Sequence, residues 1–327
     1  MRFALSDDVI SLRDNLRDVL KSASNPDHVR AAWSDGGRDV IRQLWGVLGE
    51  LGVLGLLVPE QRGGFGGDEE VMVAVMEEVG YHATPGPVGD TLALVAPVLA
   101  ASTLVDLTSR VTTGQFLMVV VADDGPTPYG AVCDGLVRSD GEQVRVVTAN
   151  VEAAPVATVD ASRHAAIVRG DSIDLGIGRD VWEAWVERAT LAAAAELVGL
   201  SQRMIDMTRV FVVEREQFGV PVGSFQAIKH ALANCLISVE FARPVVWGAA
   251  VALREHSHDS ATRVSMAKSM ASEAARSVAK AAIQCHGAMG YTVEYDLHLF
   301  AKRAWARSAD WGDSEHHVER IAQSLGL

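Results

Sequence analysis

The feature that most constrains this chain is a helical segment that is apolar on every side. From Ala189 to Leu200 the residues are almost wholly apolar, and Glu196 is the one charged residue among them. A helix of this composition is stable in water only when neighbouring elements cover it all round. The segment therefore predicts a helical bundle with this helix at its centre.

A second long segment supports the same interpretation. Between Ser260 and Gln284, alanine and methionine recur at helical spacing, which predicts a helix with one buried face. Small side chains on that face allow neighbouring helices to pack closely. The residues on the predicted face are Met266, Ala267, Met270, Ala274, Val278 and Ala281.

The sequence divides into three regions, and we predict a mainly α fold with a small β middle domain. Apolar residues at helical spacing predict an N-terminal helical domain over residues 1–115. Strand-like runs predict an abbreviated β domain over residues 116–180, with room for only a modest sheet. Residues 181–327 form the predicted C-terminal bundle. The strand-like runs are residues 116–122, 144–147 and 165–168.

Composition excludes several classes of function. Acidic residues number 42 against 29 basic ones, and the net charge of −13 argues against a nucleic-acid partner. Cys133, Cys235 and Cys285 are far apart and form no CxxC pair, which argues against a zinc site or a disulfide framework. The apolar run Val245–Leu253 is shorter than the ~20 residues of a membrane span. We expect a cytoplasmic protein without a membrane partner.

The first candidate binding pattern is the segment from Arg215 to Pro221, with Gln226 shortly after it. Arg215 is predicted to close one helix, and Ser224 to cap the next. A guanidinium beside a helix N-terminus favours a phosphate or pyrophosphate group. The residues alone leave an alternative open, in which Arg215 caps carbonyl groups at a helix end.

The second pattern is the segment from Gln284 to Tyr291, where a long apolar helix ends in two glycines. Gly287 and Gly290 allow a positive φ and the close approach of a ligand to the backbone. Gln284 offers an amide to the same ligand. An ordinary glycine-terminated helix is the alternative.

The third pattern runs from Asp310 to His317 and sets adjacent histidines beside carboxylates. Such a cluster suggests a metal site, but neighbouring residues on a helix point in different directions. A solvated helix start capped by Asp313 or Ser314 is the better interpretation. We predict no metal.

Together these patterns resemble the acyl-CoA dehydrogenase family. The motif RxQFGxPxxxxQ begins at Arg215, and QxxGxxGY begins at Gln284. Residues 52–64 and the Glu77–Gly80 stretch resemble the family's N-terminal motifs. The resemblance implies the acyl-CoA dehydrogenase fold, with a helical domain, a β domain and a C-terminal four-helix bundle. It also implies a tetramer with each FAD at a dimer interface.

The resemblance assigns roles to residues of both binding patterns. It implies that one group of residues contacts an FAD held mainly by the neighbouring subunit, and that a second group cradles the same dinucleotide. In the family a glutamate removes the α proton of an acyl-CoA, flavin accepts the β hydride, and an electron-transfer flavoprotein or similar protein takes the electrons. The first group is Arg215, Gln217, Phe218 and Gln226, and the second is Gln284, Cys285, His286, Gly287 and Ala288.

Two departures from the family point to a subunit without a catalytic residue of its own. Trp311 stands at the glutamate position, and Ala189 stands at the alternative position that some relatives use. The family's Thr, Glu, Gly, Ser and Asp stretch and its tryptophan-containing strand, which contact the isoalloxazine, have no counterpart in residues 116–180. This pattern resembles the short subunits of actinobacterial heterotetrameric acyl-CoA dehydrogenases, which pair with a full-length partner subunit and act on steroid-derived CoA thioesters.

Three other interpretations stay open at this point. A self-sufficient homo-oligomeric dehydrogenase would need a relocated base, for which Glu187, Glu196 and Asp310 are the candidates. A non-catalytic scaffold would not need Arg215, Gln226 or Gln284. A flavin monooxygenase of related fold would not need the glutamate.

Overall fold

The computed structural model describes residues 6–34, 36–122 and 125–327. Its N-terminal region is helical, as expected. Ser6 caps the first helix by accepting a hydrogen bond from the backbone N–H of Val9, and Leu16 and Leu20 are buried on the inner face. The helices of this region are α1 Asp7–Ala23, α2 Pro26–Ala31, α3 Gly37–Glu50, α4 Glu69–Tyr81, α5 Val88–Asp90, α6 Ala96–Ala100 and α7 Val105–Thr112, with a π-helical turn at Thr91–Val95 between α5 and α6.

The middle region is a four-stranded mixed sheet in the order β1-β2-β3-β4. β1 and β2 are parallel, while β2, β3 and β4 follow one another in antiparallel pairs. The strand β2 was not predicted, although strands at the other three positions were. The strands are β1 Met118–Val121, β2 Gly135–Ser139, β3 Gln143–Pro155 and β4 Ala166–Gly178.

The C-terminal region is a helical bundle built around the long helix α8. All residues from Ala189 to Leu200 are buried, so the prediction for this segment is confirmed. The helices are α8 Arg179–Glu214, α9 Gln226–Arg254, α10 Ser260–His286, α11 Leu297–Ala309 and α12 Ser314–Ser324. The domain boundaries at residues 115 and 180 stay a prediction.

Two glycines allow α4 and α8 to cross at close range. A Cβ atom on Gly80 would lie 2.0 Å from the carbonyl oxygen of Glu196, and one on Gly199 would lie 2.0 Å from that of Glu77. No side chain fits at either position. The crossing docks the N-terminal region onto the buried segment of α8 and fixes the position of Glu196.

The prediction for the inner face of α10 is wrong at two positions. Ala267, Ala274 and Val278 are buried and Ala281 is half-buried, but Met266 and Met270 are 42% and 37% exposed. The regular spacing of apolar residues could not show that this helix has an apolar outer edge as well.

Helix α9 also has an exposed apolar face. Its length and a mean hydropathy of 1.5 would allow it to cross a membrane, but one such helix is weak evidence for a span. Only 33% of its most apolar window is buried within the chain. The exposed apolar residues of α9 are Leu236, Ile237 and Phe241.

Candidate functional site

The first binding pattern lies on an exposed end of the bundle, where α8 gives way to a short hairpin. Arg215 is exposed and is the C-cap of α8, as predicted; its backbone N–H donates to the carbonyl oxygen of Phe211 at 2.9 Å. The two-residue strands Glu216–Gln217 and Val220–Pro221 pair with each other. Between them Phe218 has a φ of 57° and is 93% exposed.

The start of α9 differs from the prediction. Ser224 belongs to a 3₁₀ turn, and α9 begins at Gln226 after Phe225, without a side-chain cap. The expected Ser224 cap is therefore wrong. The first backbone N–H groups of α9 are left to bind another acceptor, and Gln226 beside them is exposed.

The second pattern divides into buried and exposed parts. Cys285 and His286 are only 8% and 4% exposed, so they can reach a ligand through their backbone alone. Gln284, Gly287 and Ala288 are exposed. Gly287 has a φ of 58°, and no atom lies within 4 Å of where its Cβ would stand.

The expectation of a positive φ holds for Gly287 but is wrong for Gly290. Gly290 is buried, and a Cβ there would lie 2.6 Å from the carbonyl oxygen of Ile283. Glycine at this position is needed for close packing against the end of α10. It does not supply a left-handed turn.

A ring stack brings the two patterns together. The imidazole of His286 lies on the ring of Phe211, near the end of α8, with centroids 4.2 Å apart. Tyr295 packs against the same imidazole at 4.9 Å. The exposed residues of both patterns thus share one end of the bundle. We call those among them that the resemblance assigns to the cofactor the dinucleotide face: Arg215, Gln217, Phe218, Gln226, Gln284, Gly287 and Ala288.

The dinucleotide face fits FAD chemically. It offers a guanidinium that forms no salt bridge with the residues the structure describes, side-chain amides and an uncapped helix start, which suit a pyrophosphate. Phe218 and Phe225 pack edge to face at 6.3 Å and offer apolar ring surface to an adenine or flavin. Glu216 follows Arg215 and is exposed as well, so the guanidinium and the free backbone N–H groups are needed to offset its charge toward an anion. The individual residue assignments stay a prediction.

The position of the family's catalytic glutamate lies elsewhere, in the loop between α11 and α12. Trp311 occupies it and lines a cavity of about 270 Å³ between the helical regions and the sheet. The indole N–H donates a hydrogen bond to Asp90 Oδ1 at 3.0 Å. Arg163 and Asp310 form other parts of the cavity wall.

Asp310 is not available as a relocated base. Its Oδ2 accepts hydrogen bonds from Arg163 at 2.6 Å and from Arg307 at 3.0 Å. Burial alone would raise the pKa of Asp310, but the two guanidinium groups outweigh it and lower the pKa. A carboxylate held in this way is a poor proton acceptor.

Glu196 is occupied as well. Its two oxygens pair with Arg307 at 2.9 Å and with Arg303 at 3.7 Å. Arg307 also binds Asp90, and Arg303 binds Asp160. These residues form one buried ion-pair network that joins all three regions of the chain: Asp90, Asp160, Arg163, Glu196, Arg303, Arg307 and Asp310.

The remaining candidate base is Glu187, which pairs with Arg320 of α12 at 2.5 Å. Burial raises the pKa of Glu187, although Arg320 opposes the shift. Its other oxygen is buried and has no hydrogen-bond partner among the residues that the structure describes. Glu187 does not line the cavity beside Trp311, and Ala189 is fully buried with no group to offer.

No group of three or more His, Cys, Asp or Glu side chains that could hold a metal ion is found in the ranges 6–34, 36–122 and 125–327. Asp313 caps α12 by accepting a hydrogen bond from the backbone N–H of His316 at 2.9 Å, which confirms one of the two predicted caps. Ser314 is the first residue of the helix instead. His316 is exposed, while His317 is buried and points in another direction.

Sequence reasoning missed several residues that shape this cavity. Asp90 and Trp311 are separated by 221 residues, and Asp90 and Arg307 by 217. No local spacing could connect them. Arg303 and Arg307 are one helical turn apart on a buried face of α11. Two arginines at this spacing were the one feature of the sequence that could have indicated buried acidic partners.

Family comparison agrees with this architecture. Residues 6–109 match the family described as "Acyl-CoA dehydrogenase, N-terminal domain", and residues 176–326 match "Acyl-CoA dehydrogenase, C-terminal domain". This chain belongs to the acyl-CoA dehydrogenase family, whose members are FAD-dependent oxidoreductases. The predicted fold class and cofactor are confirmed.

Individual relatives span nearly the whole chain. The acyl-CoA dehydrogenase IpdE2 of Mycobacterium tuberculosis is 33% identical over 96% of this chain and 95% of its own length. A chain of the ChsE4–ChsE5 complex from the same organism has a TM-score of 0.87 at 24% identity, covering 100% and 99% of the two chains. A steroid acyl-CoA dehydrogenase variant, Tcur3481–Tcur3483, gives a TM-score of 0.87 at 24% identity, covering 98% of each.

Proposed function

We propose that this chain is the subunit without a catalytic base in an FAD-dependent acyl-CoA dehydrogenase of two-plus-two composition. In this assembly it completes the FAD site of a full-length catalytic partner subunit. One observation carries the proposal. The base position holds an indole bonded to Asp90, and the nearby carboxylates of Glu196 and Asp310 are all engaged by guanidinium groups.

The different roles of the two subunits follow from two separate places in this chain, the dinucleotide face and the cavity beside Trp311. FAD supplies the hydride acceptor, and the catalytic partner supplies the carboxylate that removes the α proton. Arg215 and the uncapped start of α9 would bind the pyrophosphate of FAD, and the exposed amide of Gln284 would hold the same dinucleotide. Beside Trp311, a cavity of about 270 Å³ is smaller than the roughly 300–1,000 Å³ of typical ligand sites.

The partner and the substrate class rest on further observations. Exposed apolar residues of α9 and α10, including Phe241 and Met266, need a covering surface that a partner subunit supplies. ChsE4–ChsE5 is by name a complex, and the Tcur3481–Tcur3483 protein is by name a steroid acyl-CoA dehydrogenase. We therefore infer a steroid-derived acyl-CoA as substrate, an electron-transfer flavoprotein or a similar acceptor, and a cytoplasmic location.

The test is co-expression of this chain with an adjacent full-length dehydrogenase subunit. The purified complex is weighed by native mass spectrometry, and its flavin is released and counted. We expect a two-plus-two tetramer with two flavins, whereas this chain alone binds FAD poorly. Four flavins per tetramer, or a yellow and active homo-oligomer of this chain alone, contradict the proposal.

The same complex decides between the two locations of the base. Replacing the partner's catalytic glutamate by glutamine is expected to abolish dehydrogenation, while Glu187→Gln in this chain leaves turnover per flavin nearly unchanged. Loss of activity only in the Glu187→Gln complex would instead identify a relocated base in this chain.

A further inference from the structure

The loop that carries Trp311 is held from below by a buried lysine. Lys268 of α10 is fully buried, and its Nζ donates to the carbonyl oxygens of Ser308 and Gly312, both at 2.9 Å. It also donates to the hydroxyl of Ser272 at 3.2 Å. All three partners are neutral oxygens, and two of them flank Trp311 on either side. The Lys268 side chain thus ties the end of α11 to the loop.

A buried histidine holds the same loop from the other side. The Nε2 of His317 lies 3.0 Å from the carbonyl oxygen of Trp311, and its Nδ1 lies 3.2 Å from the hydroxyl of Ser265. A carbonyl only accepts, so Nε2 carries a proton; since burial lowers the pKa of His317 to about 4, the ring is neutral near pH 7 and Nδ1 accepts from Ser265. His317 therefore acts as a neutral donor to the backbone of Trp311.

The loop needs such support because its backbone is unfavourable. Trp311 has a φ of 58°, in the left-handed region that side chains with a Cβ rarely adopt. Gly312 follows with a φ of 93°, and a Cβ there would lie 2.4 Å from the ring of His316. Strained conformations of this kind persist only where the surroundings impose them. Here the indole N–H is also bonded to Asp90 at 3.0 Å.

We propose that Lys268 and His317 are positioning residues that lock the 310–312 loop in its left-handed turn. The lock makes the Trp311 indole a fixed wall of the cavity, and this wall keeps an acyl-CoA thioester out of this subunit. The inference rests on the proposed function, since it explains how the second substrate site is closed. It adds that the closure is maintained by hydrogen bonds to the backbone and does not depend on the size of the indole alone.

The test uses the complex with its partner, with 5-fluorotryptophan incorporated into this chain. The fluorine resonance of Trp311 is the one that disappears in Trp311→Phe. We expect Lys268→Met and His317→Leu to move this resonance towards that of the free amino acid, because the open population of the loop rises roughly tenfold when buried carbonyls lose their donors. Lys280→Met, at an exposed position of the same helix, is the matched control and leaves it unchanged.

His317→Gln separates hydrogen bonding from packing. The glutamine amide can donate to the Trp311 carbonyl, so the resonance stays near its wild-type position, whereas leucine fills similar space without a donor. If His317→Gln moves the resonance as far as His317→Leu, or if neither His317→Leu nor Lys268→Met moves it, the proposal is wrong. Should these variants not fold, Ser265→Ala tests the same contact more mildly, and an unmoved resonance there overturns the lock.

The flavin count of the same preparations separates this inference from the proposed function. Two flavins per wild-type tetramer with an unresponsive Trp311 resonance overturn the lock and leave the proposed function standing. Four flavins per tetramer overturn both, because the cavity is then not closed to a substrate site.

Discussion

Replacing Lys268 by methionine is expected to change how stability depends on pH. Burial lowers the pKa of Lys268 from 10.5 to about 7, with Arg307 adding to the shift and Asp310 and Asp313 opposing it. Above about pH 7 the folded chain releases this proton, while the unfolded chain keeps it up to about pH 10.5. The unfolded state then binds more protons, so the free energy of unfolding rises with pH.

The size of the effect follows from the two pKa values. Each pH unit between them contributes up to ~1.4 kcal/mol, and the half-titrated start near pH 7 reduces the first unit. The wild-type protein therefore gains about 2 kcal/mol between about pH 7 and 9 from this one group. Methionine at position 268 does not titrate, so the variant lacks that gain.

The assay is urea denaturation of the complex followed by circular dichroism at a series of pH values, for wild type, Lys268→Met and Lys280→Met. The unfolding free energy of wild type minus that of Lys268→Met should increase by about 2 kcal/mol between about pH 7 and 9. Lys280 is exposed, so its variant should run parallel to wild type. Parallel curves for Lys268→Met as well would refute the reasoning, because they would mean that the buried amine keeps an ordinary pKa.

Three further predictions concern single residues. Burial lowers the pKa of His317 from 6.5 to about 4, so the free energy of unfolding falls by up to ~3 kcal/mol as the pH decreases between these values. His317→Gln lacks this loss and should unfold at a lower pH in an acid titration. An unchanged midpoint contradicts this. Trp311→Ala should destabilise the chain by ~2 kcal/mol, since the ring is half-buried and makes one hydrogen bond. Turnover per flavin in the steady-state assay should stay within about twofold of wild type. A large loss of turnover would give Trp311 a direct role in the reaction. Arg215→Ala should weaken FAD binding by ~1.5–3 kcal/mol, measured as flavin occupancy of the complex, whereas Arg179→Ala at the opposite end of α8 should not; equal occupancy in both removes Arg215 from the site.

The parts of the fold that depend on local pattern were predictable from the sequence. The all-apolar stretch of α8 could only be a buried helix, and the motifs beginning at Arg215 and Gln284 contain the residues that the structure exposes together at one end of the bundle. Capping at Ser224 was not predictable, because an intervening 3₁₀ turn shifts the helix start to Gln226. The hairpin of Glu216–Gln217 and Val220–Pro221 was not predicted either, because strands of two residues are too short to show a periodic pattern.

The cavity beside Trp311 could not be predicted, because its charges come from distant parts of the chain. Asp90 lies on the three-residue helix α5, where nothing nearby marks it as a partner for Arg307. Lys268 sits in a helix rich in alanine and methionine, and a lysine there is expected to point to solvent. It is buried because the end of α11 and its following loop present carbonyl groups to it.

The charge of the buried ion-pair network explains why position 311 carries no catalytic base. The network holds four carboxylates and three guanidinium groups, so it already carries one excess negative charge. A glutamate at position 311 would place a further carboxylate beside Asp90 and Asp310 in a poorly solvated space, where an unpaired charge is strongly destabilising. The indole of Trp311 instead donates an N–H to Asp90 without adding charge. The cavity is thus complementary to a neutral donor, and restoring a carboxylate at this one position would not restore a functioning base.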